Sequence, residues 1–136
     1  MRVLICGSRG WQDKRPIWDV LQMLEREGYV AGVTIVHGDA RGADRIAATL
    51  APNCGHRVEP HPAAWRLHGR RAGYLRNAEM LASGIDHVYA FRSAGVSKGT
   101  DQMITLAREA GVPVTVVERE ELQPTATTPT PRTGAS

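Results

Sequence analysis

The sequence predicts a three-layer α/β fold with a five-stranded, mainly parallel sheet and helices on both faces. Short runs that are apolar throughout, the mark of strands covered on both sides, alternate with stretches whose apolar residues recur every three or four positions. Strands alternating with helices of this length imply right-handed βαβ units. At 136 residues, 42% hydrophobic and 23% charged, the chain is one soluble domain long enough to bury a core.

The first strand is RVLIC at 2–6, ending at Gly7. Between Asp13 and Gly28, Ile17, Val20, Leu21 and Leu24 mark a helix, with Pro16 in its first turn and Gly28 just past its end. VTIVHG at 33–38 is the second strand. From Gly42, Ile46, Ala47 and Leu50 mark a helix stopped by Pro52, and HRVEPHP at 56–62 gives a short third strand. Arg70 to Ala82 carries Leu75, Ala78 and Leu81 on one face and ends before Gly84. HVYAF at 87–91 is the fourth strand. Thr100 caps a helix bearing Met103, Ile104, Ala107 and Ala110, which Gly111 and Pro113 end, and PVTVVE at 113–118 is the fifth strand. The domain is expected to run over 1–122. The remaining Thr/Pro-rich stretch, 123–136, lacks apolar periodicity and reads as a disordered tail.

A net charge of +3 and a pI near 9.2 favour anionic ligands mildly. No Lys/Arg run marks a duplex-binding stripe; the arginines are scattered among glycines, which suggests a small anion. Cys6 and Cys54 form no CxxC pair and read as buried or idle thiols. No apolar run is long enough to span a membrane, and MRVLICGSRG is too short an apolar stretch for a signal peptide, so a cytosolic, cytoplasmic protein is the expectation. His37, His56, His61, His68 and His87 lack metal-ligand spacing, so no metal site is expected.

In an open parallel sheet, ligands bind beyond the carboxyl ends of the strands, near the switch in strand order. Here those ends are Gly7-Ser8-Arg9-Gly10, Gly38-Asp39-Ala40-Arg41-Gly42-Ala43-Asp44 and Ser97-Lys98-Gly99-Thr100. Glycine lets backbone N–H groups approach an anion, each following helix offers its positive end, and Arg9, Arg41 and Lys98 add charge. Neither GxGxxG nor GxxxxGK[ST] is present, which weakens conventional NAD oxidoreductase and P-loop readings.

VLICGSRGW, VHGDARGAD, GRRAGYLRNAEML and KGTDQM, collinear and followed by AREAGVPV, carry a resemblance to the SLOG superfamily, specifically its small single-domain, YpsA-related group. The resemblance implies a Rossmann-like fold binding a nucleotide or nucleotide-derived ligand, such as an ADP-ribose or NAD-type molecule. It also reaches the Lonely Guy phosphoribohydrolases, whose loop reads PGGxGTxxE; aligned on Gly99 and Thr100, their catalytic glutamate is Met103 here, which cannot take a proton. Arg76 matches an arginine of those relatives. More distantly, the chain resembles the single-stranded-DNA-binding Rossmann domain of DNA-processing protein A. At 5% aromatic residues it has few platforms for stacking bases, so nucleic acid is not the expected partner.

The expected ligand-binding set is Gly7, Ser8, Arg9, Gly38, Arg41, Gly42, Asp44, Arg76, Asn77, Lys98, Gly99 and Thr100. Asp44 either caps locally, holds a ribose hydroxyl or orients Arg41. Arg70 and Arg71 belong to the site or to a solvated helix face. Trp65 either covers a base or packs its loop on the core, while Trp11 and Trp18 read as structural. A sensing or sequestering module is the leading reading, with no cofactor assigned beyond a nucleotide-type ligand. The alternative is an N-glycosidase or nucleotide hydrolase with catalytic candidates Asp44, Asp101 and Arg76, and single-stranded DNA binding comes third. Relatives often associate through their helices, which makes a homodimer a further expectation.

Overall fold

Five strands, β1 (Arg2–Gly7), β2 (Thr34–His37), β3 (Arg57–Pro60), β4 (His87–Ser93) and β5 (Val114–Arg119), pair in parallel in the order β3-β2-β1-β4-β5. The computed structural model describes residues 1–119, so the expected domain end at 122 and the tail from 123 lie outside the described residues.

The apolar run of β1 explains the three layers. Its side chains alternate between faces, and both faces are covered. Val3 and Ile5 pack with Ile17, Leu21 and Leu24 of α1 (Lys14–Arg26) and with Ala43 and Ala47 of α2 (Ala43–Leu50). Leu4 and Cys6 pack on the other side with Met80 of α4 (Ala72–Ala82) and with Met103, Ile104 and Ala107 of α5 (Lys98–Glu109). Burying each such large apolar side chain contributes about 1.5–3 kcal/mol. Helix α1 is started by Asp13, whose carboxylate accepts from the Arg15 N–H at 3.0 Å, and Gly28 beyond its end takes the left-handed φ of 62° that an αL position favours.

Four details differ from the pattern-based expectations. Strand β4 continues to Ser93, two residues past HVYAF. A short helix, α3 (Trp65–His68), lies where a loop was expected. Helix α5 begins at Lys98, so Thr100 sits inside its first turn rather than capping it, and the Ser97 side chain at the cap position makes no capping bond to the helix. Helix α4 buries Ala72, Asn77 and Met80 and leaves Ala78 exposed. Its inward face holds polar groups, which an apolar count cannot detect. Among the described residues no helix is long and apolar enough to cross a membrane.

Candidate functional site

The strand order reverses beside β1: the chain moves outward through β2 and β3, then returns to pair β4 on the other side. The loops after β1 and β4 therefore part, and a cleft of about 510 Å³ opens between them. Residues Gly7–Gly10 form one side, α4 with Gly73, Arg76 and Asn77 forms another, and Ser97–Thr100 at the start of α5 closes the third.

Gly7 and Ser8 hold the two loops together. A Cβ on Gly7 would lie 2.3 Å from the Phe91 carbonyl oxygen and 2.6 Å from the Ala43 Cβ, so only glycine lets β1 end against both β4 and α2. The buried Ser8 hydroxyl accepts from the Ser93 N–H at 2.9 Å and donates to the Ser97 hydroxyl at 3.2 Å. Ser8 lines the cleft, but its hydroxyl is occupied in joining β1 to the β4–α5 connection.

The turn after β2 differs from the expectation. Gly38 and Gly42 were expected to present N–H groups to a ligand. Instead the Gly38 N–H donates to the Asp44 carboxylate at 2.7 Å, and Asp44 also takes backbone N–H bonds at Ala40 and at its own position. The cradle is filled by the protein's own anion at the start of α2. Gly42 lines neither the cleft nor the hollow beside it; at φ 84° its missing Cβ would lie 2.2 Å from the Ser8 carbonyl oxygen. Asp44 is 4% exposed, and burial raises its pKa to about 6, against the lowering effects of the Gly38 N–H and the Arg76 charge. Asp44 lies on the cleft wall, and its hydrogen bond goes to Gly38 rather than to Arg41.

Arg76 is half-buried beside it. Its Nε donates to Asn77 Oδ1 at 3.0 Å, and Nη1 donates to the Gly38 carbonyl. That contact explains Gly38, since a Cβ there would lie 2.5 Å from Arg76 Nη1. Burial lowers the Arg76 pKa, with the Asp44 charge opposing. Both groups shift toward their neutral forms, so burial outweighs an attraction that falls short of a direct ion pair. Among the described residues Arg76 Nη2 has no hydrogen-bond partner, and Arg76 lines the cleft.

Helix α5 presents its first turn to the same space. Asn77, 6% exposed, donates from Nδ2 to the Gly99 carbonyl at 3.2 Å and to Gln102 Oε1 at 2.8 Å, which fixes that turn against α4. Lys98 and Gly99 are exposed on the cleft. Thr100 lines it as well, yet is only 5% exposed, and its hydroxyl has no hydrogen-bond partner among the described residues. Asp101 does not line the cleft; it accepts from Arg92 at 2.6 and 3.1 Å. Met103 is fully buried with Met80 and Ala107.

Arg9 and Trp65 stand at the rim, with the Arg9 guanidinium carbon 5.9 Å from the Trp65 ring centre. Trp65 is 49% exposed, so it is not packed into the core; Trp11 is buried, and Trp18 packs against the core in part. Arg41 lies outside the main cleft, in an adjoining hollow of about 350 Å³. Arg70 lines the cleft and Arg71 does not. His37 is buried, and its Nδ1 accepts the Asp39 N–H at 3.0 Å, supporting a left-handed backbone at Asp39 (φ 56°). Among the described residues no group of three His, Cys, Asp or Glu side chains converges as a metal site.

Sequence reasoning missed Tyr74, Val96 and Cys6 on the cleft, and Arg92 behind it. Tyr74 stood within the quoted GRRAGYLRNAEML stretch, but nothing local distinguishes an aromatic facing a cleft from one facing solvent. Arg92 lay one residue past the expected end of its strand.

A family model described as the YspA, cpYpsA-related SLOG family matches residues 1–68. The chain is similar to Gene 61 protein of Mycobacterium phage D29, 46% identical over 119 residues that span 83% of this chain and 93% of the phage protein. Among solved structures it is similar to DNA processing protein A from Streptococcus pneumoniae, with a TM-score of 0.52 at 20% identity over 85% of this chain. It spans 58% of the length of that structure. It is also similar to the Moco carrier protein from Chlamydomonas reinhardtii, with a TM-score of 0.52 at 14% identity, covering 87% of this chain and 76% of that one. At such identities the structural likeness shows the fold alone.

Proposed function

The chain belongs to the YspA, cpYpsA-related SLOG family, and from that premise we propose that it binds a nucleotide or nucleotide-derived ligand in the cleft beside β1, as a sensing or sequestering module. One observation carries the reading: the buried Thr100 hydroxyl, without a partner among the described residues, lies at the uncapped start of α5, in the same cleft as the Nη2 of Arg76, which likewise has none among them. A helix start that no side chain caps keeps N–H groups for an anion, and its dipole adds about 0.3–1 kcal/mol. Hydrogen bonds from Arg76 and Lys98 to a phosphate are worth about 1.5–3 kcal/mol each. A cleft of 510 Å³ exceeds what a lone phosphate needs, and Trp65 and Tyr74 on its wall offer apolar area to a base and sugar.

Binding is favoured over turnover because the carboxylates are committed elsewhere. Met103 stands in the core where phosphoribohydrolases carry glutamate, and Asp101 is held by Arg92 off the cleft. Asp44 supports the alternative of an N-glycosidase or hydrolase, since it reaches the cleft with a raised pKa, a trait of general acids. Against that role, its oxygens already accept backbone N–H groups. Titrating the protein with AMP, ADP-ribose and NAD by calorimetry, with chromatography of the same mixtures, tests both readings. Saturable binding with the ligand recovered intact is expected. Base or ribose phosphate released at enzyme-like rates, and lost in Asp44→Asn, would replace binding with hydrolysis. Mass spectrometry of material released from the purified protein by denaturation identifies the ligand directly.

A further inference from the structure

We infer that the ligand carries a second, separated phosphate, held in the hollow beyond Trp65 by Arg41, Arg45 and Arg9; this rests on the cleft reading above. The hollow, about 350 Å³, is continuous with the main cleft, because Arg9, Ala40, Trp65 and Arg76 line both. Its charge is unbalanced. The acid on its wall, Asp39, meets Arg45 at 3.5 Å, while Arg41 has no ion pair or hydrogen bond among the described residues. The Arg9 guanidinium makes no ion pair or hydrogen bond among the described residues and stands 5.9 Å from the Trp65 ring centre. Cations gathered this way repel one another, and an anion relieves that repulsion.

The hollow cannot draw on the start of α2, because Asp44 already fills the backbone cradle there. Its anion affinity therefore comes from arginine side chains, which suit the forked recognition of phosphate. His37 fixes the left-handed turn at Asp39 that leads into Arg41, so the loop shape is set before any ligand arrives.

The partition between the two lobes selects the ligand class. Arg9 and Trp65 line both lobes, so a ligand that fills both passes between them, and a diphosphate, whose phosphates share one bridging oxygen, is the compact alternative that the test separates. A nucleotide phosphorylated at two positions of its sugar, or a 5′-phosphorylated dinucleotide, spans both, with its base or ribose against Trp65.

The test compares AMP, ADP, adenosine 3′,5′-bisphosphate, the dinucleotide pApA and an octanucleotide on the wild type and on the double variant Arg41→Ala, Arg45→Ala. Both side chains are exposed, and thermal melts check that the variant folds. The bisphosphate or pApA is expected to bind at least tenfold more tightly than AMP and ADP, and the bisphosphate-to-AMP affinity ratio should fall to about one in the variant. Which of the two probes gains identifies the source of the second phosphate. No gain over AMP, or a gain that survives in the variant, overturns the inference and leaves the cleft reading standing. Affinity that keeps rising to the octanucleotide overturns it in favour of a single-strand track. Failure of every nucleotide to bind the wild type removes the cleft reading itself, and this inference with it.

Discussion

A carboxylate in the first turn of a helix is usually a solvated feature, but Asp44 lies buried with the Gly38 N–H donating to it. Its folded pKa of about 6 stands above the ordinary 3.8. The stability linked to it is therefore fully present below about pH 3.8 and is lost as pH rises through 6, on the order of 3 kcal/mol by pH 7. His37 acts in the opposite sense, since burial lowers its pKa and its protonation below about 6.5 destabilises the fold. Wild type minus Asp44→Asn isolates the carboxyl group: that difference in unfolding free energy should grow as pH falls from 7 to 4. A flat difference in denaturant titrations would show that Asp44 is not perturbed. Thr100 gives a sharper residue-level contrast. Thr100→Val keeps the shape and removes an unpaired buried hydroxyl, so melting temperature should hold or rise while nucleotide affinity falls by about 1.5–3 kcal/mol. Unchanged affinity in calorimetry would exclude the hydroxyl from the site. The sequence pointed to Thr100 and mistook its duty, because capping and lining differ only by where the helix begins, and its cap is Ser97, three residues earlier.

Helix α4 shows why the element scale was harder to read. Its apolar residues predicted a buried face through Leu75, Ala78 and Leu81, yet Ala78 is exposed and Asn77 is buried. The polar pair Arg76-Asn77 faces inward because it serves α5 and the Gly38 turn, and a hydrophobic count treats such residues as outward. Asn77 is a positioning residue: its Nδ2 holds the Gly99 carbonyl and Gln102, and its Oδ1 holds Arg76. Asn77→Ala should therefore lower stability by about 1–3 kcal/mol and weaken ligand binding as well, unlike Thr100→Val, which should weaken binding without lowering stability. A loss of stability with full affinity would confine Asn77 to packing. On α5, the Arg92–Asp101 pair is 22% and 48% exposed, and such pairs are worth about 0–1 kcal/mol. Asp101→Asn should be nearly silent in both melting and binding. A tenfold loss of affinity would mean that Asp101 reaches the ligand after all.

At the scale of the whole molecule, the five strands, the four long helices and the site's edge of the sheet were legible, because both-sided burial of β1 produces the continuous apolar run. The order β3-β2-β1-β4-β5 was not legible, since each βα unit has the same local pattern whichever side of its neighbour it joins. That order sets a timetable for assembly. Strands β1 to β3, with α1 and α2, form from neighbouring units, whereas β4 must return to a partner whose loop contact, Ser8 with Ser93, is 85 residues distant in the chain. Closing so long a loop comes late in folding. The cleft is therefore expected to form at the last long-range step, with its contacts absent from the folding transition state. Ser8→Ala, which removes the hydroxyl bridging the two loops, should speed unfolding severalfold and leave the refolding rate almost unchanged in stopped-flow measurements. A saturating ligand should act on the same limb of the kinetics, lengthening the lifetime of the finished fold without hastening its formation.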